Sequence, residues 1–346
     1  MTKTITCIDC LTNNLVQLDF DQETLVSRSH TDRNTATTDL YVSPGLIDLQ
    51  INGYAGVDFN TFPIEESSFL NVIDSLVKEG ITSFFPTVIT NSSNNIISLL
   101  KNIDQLCQQN PIIDQYVGGI HLEGPFISPE DETRGAHDSS YITAPDWDLF
   151  LQFRNASNDR IKIVTISAEW DNAPAFIEQC VSENIIVALG HTMASSEQIK
   201  AATDAGAKMS THLGNGAPLM LPRNSNMIFD QLANDDLAAS LIADGFHLPD
   251  SFLKVAIKMK QDRAIIVSDS TMFAGMEAGI YETHIGGRVV LEENKRLSTF
   301  KNRKLLAGAA VSLLDCIKYL LKSGISDLSQ AWSMASINPI KLISNK

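Results

Sequence analysis

LGHTMASSEQIKAATDAGAKMSTHLGNGAP, residues 189–218, holds two histidines, His191 and His212, and each closes a short apolar run. An amphipathic segment of helical period separates them. The unit predicts strand–His, helix, strand–His. A right-handed crossover between parallel strands returns the chain to the same end of the sheet, so both imidazoles come to adjacent strand ends. Neutral imidazole is the commonest protein ligand for a transition metal. The stretch therefore predicts a parallel α/β fold and points to a metal site.

The same rhythm runs outward in both directions. Apolar, β-branched runs at 46–51 (LIDLQI), 82–89 (TSFFPTVI), 117–122 (VGGIHL), 161–167 (IKIVTIS), 185–189 (IIVAL), 208–212 (KMSTH), 238–243 (AASLIA) and 264–268 (AIIVS) read as eight strands. Helical patterns lie between them at 68–78, 96–108, 173–183, 195–205 and 250–259. Near-continuous apolar strands alternating with amphipathic helices imply a parallel sheet covered on its outer face. Eight such units predict an α/β fold, a (β/α)8 TIM-type barrel. An open doubly wound sheet would carry a glycine-rich phosphate loop after its first strand, and no GxGxxG occurs. Residues 1–43 are short, polar and β-leaning, so a small β-rich appendage is expected there, with the barrel over 44–346. Residues 281–306 read as hairpin or loop pieces, followed by helices at 309–322 and 328–335.

Composition narrows the partners. The 346 residues carry a formal net charge of −15, from 26 basic and 41 acidic side chains. So acidic a chain argues against nucleic acid and against an anionic membrane surface, while leaving room for a small anionic substrate held by local arginines. No apolar run approaches the roughly 20 residues of a membrane helix, and MTKTITCIDC does not read as a signal peptide. The five scattered cysteines form no disulfide framework, which fits a reducing cytoplasm. Cys7 and Cys10 make a lone C-x-x-C, read as one edge of the β-rich N-terminus.

In a barrel of this kind the polar groups at the C-terminal strand ends are the first suspects. Strand one ends with Asp48, Gln50 and Asn52 on one face by alternation. Strand three delivers Glu123, strand five His191, strand six His212, strand seven Asp244 and His247, and strand eight Asp269. Glu123, His191 and His212 form a two-nitrogen, one-carboxylate set suited to Zn²⁺ or a similar divalent ion (Fe²⁺, Co²⁺, Mn²⁺) with a position left open. Asp269 is placed to act as general base. This is the layout of a hydrolase acting on an amide or ester carbonyl. His121, one pleat repeat below Glu123, reads as a buried, hydrogen-bonded structural histidine. His30 and His284 lie in irregular regions and receive no function.

The segments PGLIDLQINGYAGVDF, HLEGPF, RGAH, LGHTMAS, THLGN, IADGFH and VSDSTMFAG occur in this order. With them the chain resembles the amidohydrolase superfamily, and within it the N-acetylglucosamine-6-phosphate deacetylase family. The resemblance runs from about Ser43 to the last helix. It implies removal of an acetyl group from an N-acetyl amino-sugar phosphate. It also implies one metal held by Glu123, His191 and His212, proton transfer by Asp269, and contact of His137 with the sugar and the acetyl carbonyl. Gln50 and Asn52 stand where many amidohydrolases have the H-x-H of a second metal. Ala136, Asn215, Gly216, Asp244, His247, Leu306, Ala307 and Gly308 match substrate contacts. Arg223 falls at the spacing of an arginine that binds the 6-phosphate across a dimer interface, which implies a homodimer.

The chain departs from the family pattern in three places. The family reads H-x-x-N-A-M after strand six and then an Arg-Glu-Pro-Gly-like run. Here the chain reads Asn215-Gly216-Ala217-Pro218 and then Arg223-Asn224-Ser225-Asn226. The family's APE is here Ser167-Ala168-Glu169-Trp170, and its D-A-T-x-x-A-G is Asp269 to Gly275 with Phe273 in the middle, which is expected to reshape the sugar pocket. The family's closing β-strands have no counterpart, so a reduced appendage or a shortened sequence is expected. Two other functions share the motifs. One is a single-metal amidohydrolase deacylating a different, unphosphorylated N-acyl amine. The other is an inactive barrel that binds amino-sugar phosphates, against which the joint presence of Glu123, His191, His212 and Asp269 argues.

Overall fold

In the computed structural model, which describes residues 2–31, 38–283 and 287–344, eight parallel strands follow one another in chain order around a barrel. They span Leu46–Ile51, Ile81–Ile89, Ile120–Glu123, Ile161–Ile166, Ile186–Leu189, Met209–Ser210, Ala238–Ile242 and Ala264–Val267. The expected barrel is borne out. The eighth strand meets the first through a single parallel bridge, Ile51 with Ser270. Two backbone hydrogen bonds reinforce that seam, Asp269 N–H to Gln50 O at 3.0 Å and Asn52 N–H to Ser270 O at 2.8 Å.

Two strand boundaries differ from the sequence expectation by more than one residue. The third strand begins at Ile120 rather than 117, because Val117 ends the helix Pro111–Tyr116 and gives its N–H to Ile113 O. The sixth strand shrinks from 208–212 to Met209–Ser210, because the chain turns at His212, whose φ is +30°.

The helices form where one apolar stripe faces the sheet. Helix Glu66–Lys78 buries Phe69, Val72, Ile73 and Leu76 at the i, i+3, i+4, i+7 spacing. Each such side chain contributes roughly 1.5–3 kcal/mol. Helix Ser93–Gln109 starts where the Ser92 side chain accepts from Asn95 N–H, and Asn110 caps the helix that follows, with proline in its first turn. The helix expected at 309–322 begins at Leu313, because Ser312 and Asp315 form a capping box there. Helices Trp147–Ala156, Met227–Ala233 and Ile337–Ser344 were not expected. All three are short, and the signal for the first was its cap, Asp146, which accepts from Leu149 N–H.

The last of these helices closes the end of the barrel opposite the site. Asn338 Nδ2 donates to Ala264 O at 2.7 Å, and Leu342 and Ile343 pack on the strand cluster of Leu49, Phe85, Ile163, Met209 and Ile265. Only the C-terminal strand ends remain for chemistry.

Besides a two-stranded pairing of Gly53–Tyr54 with Val57–Asp58, two small sheets flank the barrel. Strands Thr2–Asp9, Leu15–Asp21, Thr24–His30 and Tyr41–Val42 make the first, with Cys7, Val16 and Leu18 as its core. All five cysteines are free and buried, and burial pushes the Cys7 and Cys10 thiols up, away from thiolate chemistry. The second sheet is an antiparallel meander of Gly279–Thr283, Gly287–Leu291 and Leu297–Thr299, which pairs in sequence as the expected hairpin pieces would. No helix among the described residues is long and apolar enough to cross a membrane. His30 is exposed, and His284 lies outside the described residues.

Candidate functional site

Strands three, five and six bring Glu123, His191 and His212 together in the interior. His212 Nε2 lies 3.0 Å and His191 Nε2 3.4 Å from Glu123 Oε1. Donor atoms bound about 2.0–2.1 Å from one tetrahedral ion stand about 3.3 Å apart, so this spacing is that of a ligand set. His191 Nδ1 lies 2.7 Å from Thr133 O. A carbonyl only accepts, so Nδ1 carries a proton and Nε2 is the ring atom turned to Glu123.

The electrostatics call for a cation. Glu123 is 3% exposed. Burial alone would raise its carboxyl, yet the bonds and charges of His191 and His212 hold it well below its usual range. Burial likewise opposes charge on His212, but the bond to Glu123 and that carboxylate's charge push its imidazole up to about 8. A proton on His212 thus balances the buried carboxylate. A divalent ion would replace that proton with a stronger charge, and the donor set fits it.

Three of the four chemical residues sit in left-handed backbone: His191 at φ +48°, His212 at +30° and Asp269 at +47°. Such conformations cost roughly 1–3 kcal/mol each and persist only where the surroundings impose them. His212 N–H is held by Ser240 Oγ at 2.7 Å. Around His191 the packing demands glycine. A Cβ at Gly190 would stand 2.7 Å from Thr211 Cβ, and one at Gly216 (φ +55°) 2.7 Å from His191 Nδ1. The strand-end register pointed to the histidines and to Asp269, while their turns out of the strands had no signature in the apolar pattern.

Asp269 lies beside this cluster. Burial raises its carboxyl to about 6, against the opposing charge of His212. Asn52 Nδ2 donates to Asp269 Oδ1 at 2.8 Å, and Gln50 Nε2 donates to Glu123 Oε1 at 2.8 Å. In each amide the carbonyl oxygen is buried without a hydrogen-bond partner among the described residues. Asp48, on the same strand, turns below the site. Its Oδ1 accepts from Ser268 N–H at 3.2 Å, and burial pushes its carboxyl up to about 7. His121 is buried and doubly bonded, through Nδ1 to Leu49 O and Nε2 to Thr165 Oγ1, as the sequence indicated.

The cluster opens into a cavity of about 480 Å³. Its lining includes Ala136, His137, Asn215, Gly216, His247, Leu306, Ala307 and Gly308 from the predicted set. His137 packs edge-on against His191 with ring centroids 4.5 Å apart, and its Nδ1 lies 2.8 Å from Thr90 Oγ1. Burial drops its imidazole to about 3, so the ring is neutral.

Two predicted substrate contacts are not at the cavity. Asp244 does not line it. Its Oδ1 accepts from Phe246 and His247 N–H, and its Oδ2 faces His247 Nδ1 at 2.6 Å, so it acts by orienting His247. Arg223 is exposed on the loop after strand six, beside Leu219 (98% exposed) and Met220 (86%). No Lys or Arg among the described residues lines the cavity. On the opposite wall Phe273, expected from the sequence to reshape the sugar pocket, lines the cavity, while Met272 and the meander residues Thr283, Val289 and Thr299 were missed by sequence reading. Alternating apolar residues in RVVLEE and KRLSTF were the available signal, but nothing local said which cavity they face.

The Amidohydrolase family profile matches residues 41–345. The N-acetylglucosamine-6-phosphate deacetylase of Bacillus subtilis is 34% identical over 258 residues, which cover 74% of this chain and 64% of that protein. The enzyme of that name from Caenorhabditis elegans is 30% identical over 319 residues, covering 88% and 74%. The crystal structure of the Pasteurella multocida N-acetylglucosamine-6-phosphate deacetylase superposes with a TM-score of 0.83 at 25% identity, over 99% of this chain and 90% of that one. The match thus spans under two thirds of the Bacillus relative's length and about three quarters of the nematode one.

Proposed function

The chain belongs to the amidohydrolase family, and we propose that it removes the acetyl group from N-acetylglucosamine 6-phosphate, giving glucosamine 6-phosphate and acetate. The observation that carries this reading is the convergence of Glu123, His191 and His212 beside Asp269 under one cavity. The names of its relatives supply the substrate.

Glu123, His191 and His212 would hold one divalent ion. Zn²⁺ suits the set best, and Fe²⁺, Co²⁺ or Mn²⁺ accept the same donors. Such an ion, when bound, acts as a Lewis acid and makes water acidic enough to attack at neutral pH. Asp269, whose carboxyl burial raises to about 6 in the metal-free protein and a bound cation lowers, takes a proton from the attacking water and passes it to the sugar nitrogen as acetate leaves. His137 is neutral. With Thr90 Oγ1–H donating to its Nδ1, its Nε2–H is free to donate to the acetamide oxygen. His247, oriented by Asp244, offers Nε2 to the sugar. Ala136, Asn215, Gly216 and the 306–308 segment complete the wall.

The phosphate carries about two charges, and among the described residues no Lys or Arg lines the subunit's own cavity to meet them. Arg223 supplied across a homodimer interface answers that need, so the reading includes a homodimer. Residues 44–346 form the catalytic unit and 1–43 an appendage. The free cysteines suit a reducing cytoplasm.

The test is acetate release from a panel of N-acetylated hexosamines and their 6-phosphates, with and without chelator. Chelator-sensitive release from N-acetylglucosamine 6-phosphate is expected. Equal turnover of the unphosphorylated sugar would move the assignment to an unphosphorylated N-acyl amine, and no release from any member would overturn it.

A further inference from the structure

We propose that Asn52 is a positioning residue for the proton-transferring carboxylate: its amide fixes Asp269 so that Oδ2 alone is presented to the reacting atoms. The proposal rests on the hydrolytic reading above.

Asn52 and Asp269 lie 217 residues apart in sequence and meet only at the seam where the barrel closes. Strand pairing is thinnest there, with a single bridge, Ile51 to Ser270. Other bonds compensate. Asp269 N–H reaches Gln50 O at 3.0 Å, and Asn52 and Gly53 N–H both reach Ser270 O, at 2.8 and 3.1 Å. Ser270 Oγ donates to Gly53 O at 3.1 Å. These bonds fix the backbone on both sides of the seam, but none of them touches the Asp269 carboxyl. Among the described residues, that carboxyl accepts one side-chain hydrogen bond, from Asn52 Nδ2 at 2.8 Å.

The orientation of the Asn52 amide is set by charge. Its Oδ1 is buried with no partner among the described residues. An unmade bond of that kind costs about 1–3 kcal/mol. Rotating the amide would instead aim that oxygen at a carboxylate, so the N–H must face Asp269. Gln50 shows the same arrangement one pleat repeat away, with Nε2 on Glu123 Oε1 and Oε1 left without a partner. Two amides on one strand thus each donate to a functional carboxylate and leave their own acceptors unused. An amide donor holds a carboxylate without neutralising it, so Asp269 keeps both its orientation and its charge. With Oδ1 occupied, Oδ2 is the oxygen left for the proton. A misplacement of about 1 Å in such a group costs on the order of 100-fold in rate.

The test is a double-mutant cycle with N-acetylglucosamine 6-phosphate on the metal-loaded enzyme, reading kcat, KM, metal per subunit and thermal midpoint. Asn52→Ala should lower kcat about 10- to 100-fold, with KM changed less than about threefold and metal content unchanged. In an Asp269→Asn background the same change should alter kcat less than about twofold, because Asn52 acts only through that carboxylate. Asn52→Asp keeps the shape but sets a carboxylate against Asp269. It should lose at least as much kcat as Asn52→Ala, and it serves if the alanine variant folds poorly. Equal losses of kcat in the wild-type and Asp269→Asn backgrounds would overturn the proposal and mark Asn52 as a seam residue only. An Asn52→Ala enzyme with normal kcat would overturn it as well. A wild-type enzyme that releases no acetate would instead overturn the hydrolytic reading itself.

Discussion

Asp269→Asn exchanges one carboxylate oxygen for an amide and removes a single charge beside the cluster. Local structure should survive the change. Asparagine is among the few residues that visit left-handed backbone readily, so φ near +47° is tolerated. Its side-chain oxygen can keep the 2.8 Å bond from Asn52 Nδ2, and the backbone bond to Gln50 O is untouched. Burial already disfavours the charge on Asp269, so the neutral variant of the metal-free protein should be no less stable than wild type. Glu123, His191 and His212 are unchanged, so metal content should hold at one ion per subunit. What is lost is a group able to accept a proton. General-base catalysis is worth about 100- to 10,000-fold, or roughly 3–5 kcal/mol of barrier. In wild type, kcat/KM should fall at acid pH as Asp269 becomes protonated; burial raises its carboxyl to about 6 in the metal-free protein, and a bound cation draws that limb lower. The variant should lose at least about 100-fold in kcat and show no such acid limb. The assay is steady-state acetate release across pH 5–9, with metal measured on the same preparations. A variant that keeps more than a tenth of wild-type kcat with full metal would refute Asp269 as the proton-transfer group.

Three further outcomes follow from the same geometry. In the metal-free protein, His212 is held up at about 8 by Glu123, above its unfolded value of about 6.5. Its contribution to stability is therefore complete below about pH 6.5 and disappears as pH rises through 8. Calorimetry of chelated protein should show the thermal midpoint falling over that window, and metal should remove the slope. Because the ion displaces that proton, metal affinity should rise about tenfold per pH unit up to pH 8 and then level off; a pH-independent affinity in titration calorimetry would contradict the ligand set. Gly216→Ala places a Cβ 2.7 Å from His191 Nδ1 at a φ of +55°. It should displace the ring from Thr133 O and weaken metal binding about 10- to 100-fold, as read by competition with a chelator. Unchanged affinity would show that the His191 ring is not confined there.

How much was legible depends on the range of the signal. Burial periodicity is local, and it located all eight barrel strands because each is covered on both sides. It failed where a different local force won. The capping box at Ser312 and Asp315 moved a helix start from 309 to Leu313, and the left-handed turn at His212 shortened strand six. Helix Ile337–Ser344, which seals the far end of the barrel, was hidden because its packing partners are strand residues distant in sequence.

By itself the sequence determined the barrel, through the alternation of apolar strands and amphipathic helices. It also set Glu123, His191, His212 and Asp269 at corresponding strand ends, because a parallel βα repeat brings every strand end to one face. Only the tertiary structure decided what those groups touch. It joined Asn52 to Asp269 and Gln50 to Glu123, turned Asp244 onto His247, set the meander as one cavity wall and left Arg223 outside the cavity. A period of two or 3.6 residues fixes which side of an element is buried. Which partner waits on that side is set by the closure of the barrel, and closure brings together residues more than two hundred positions apart.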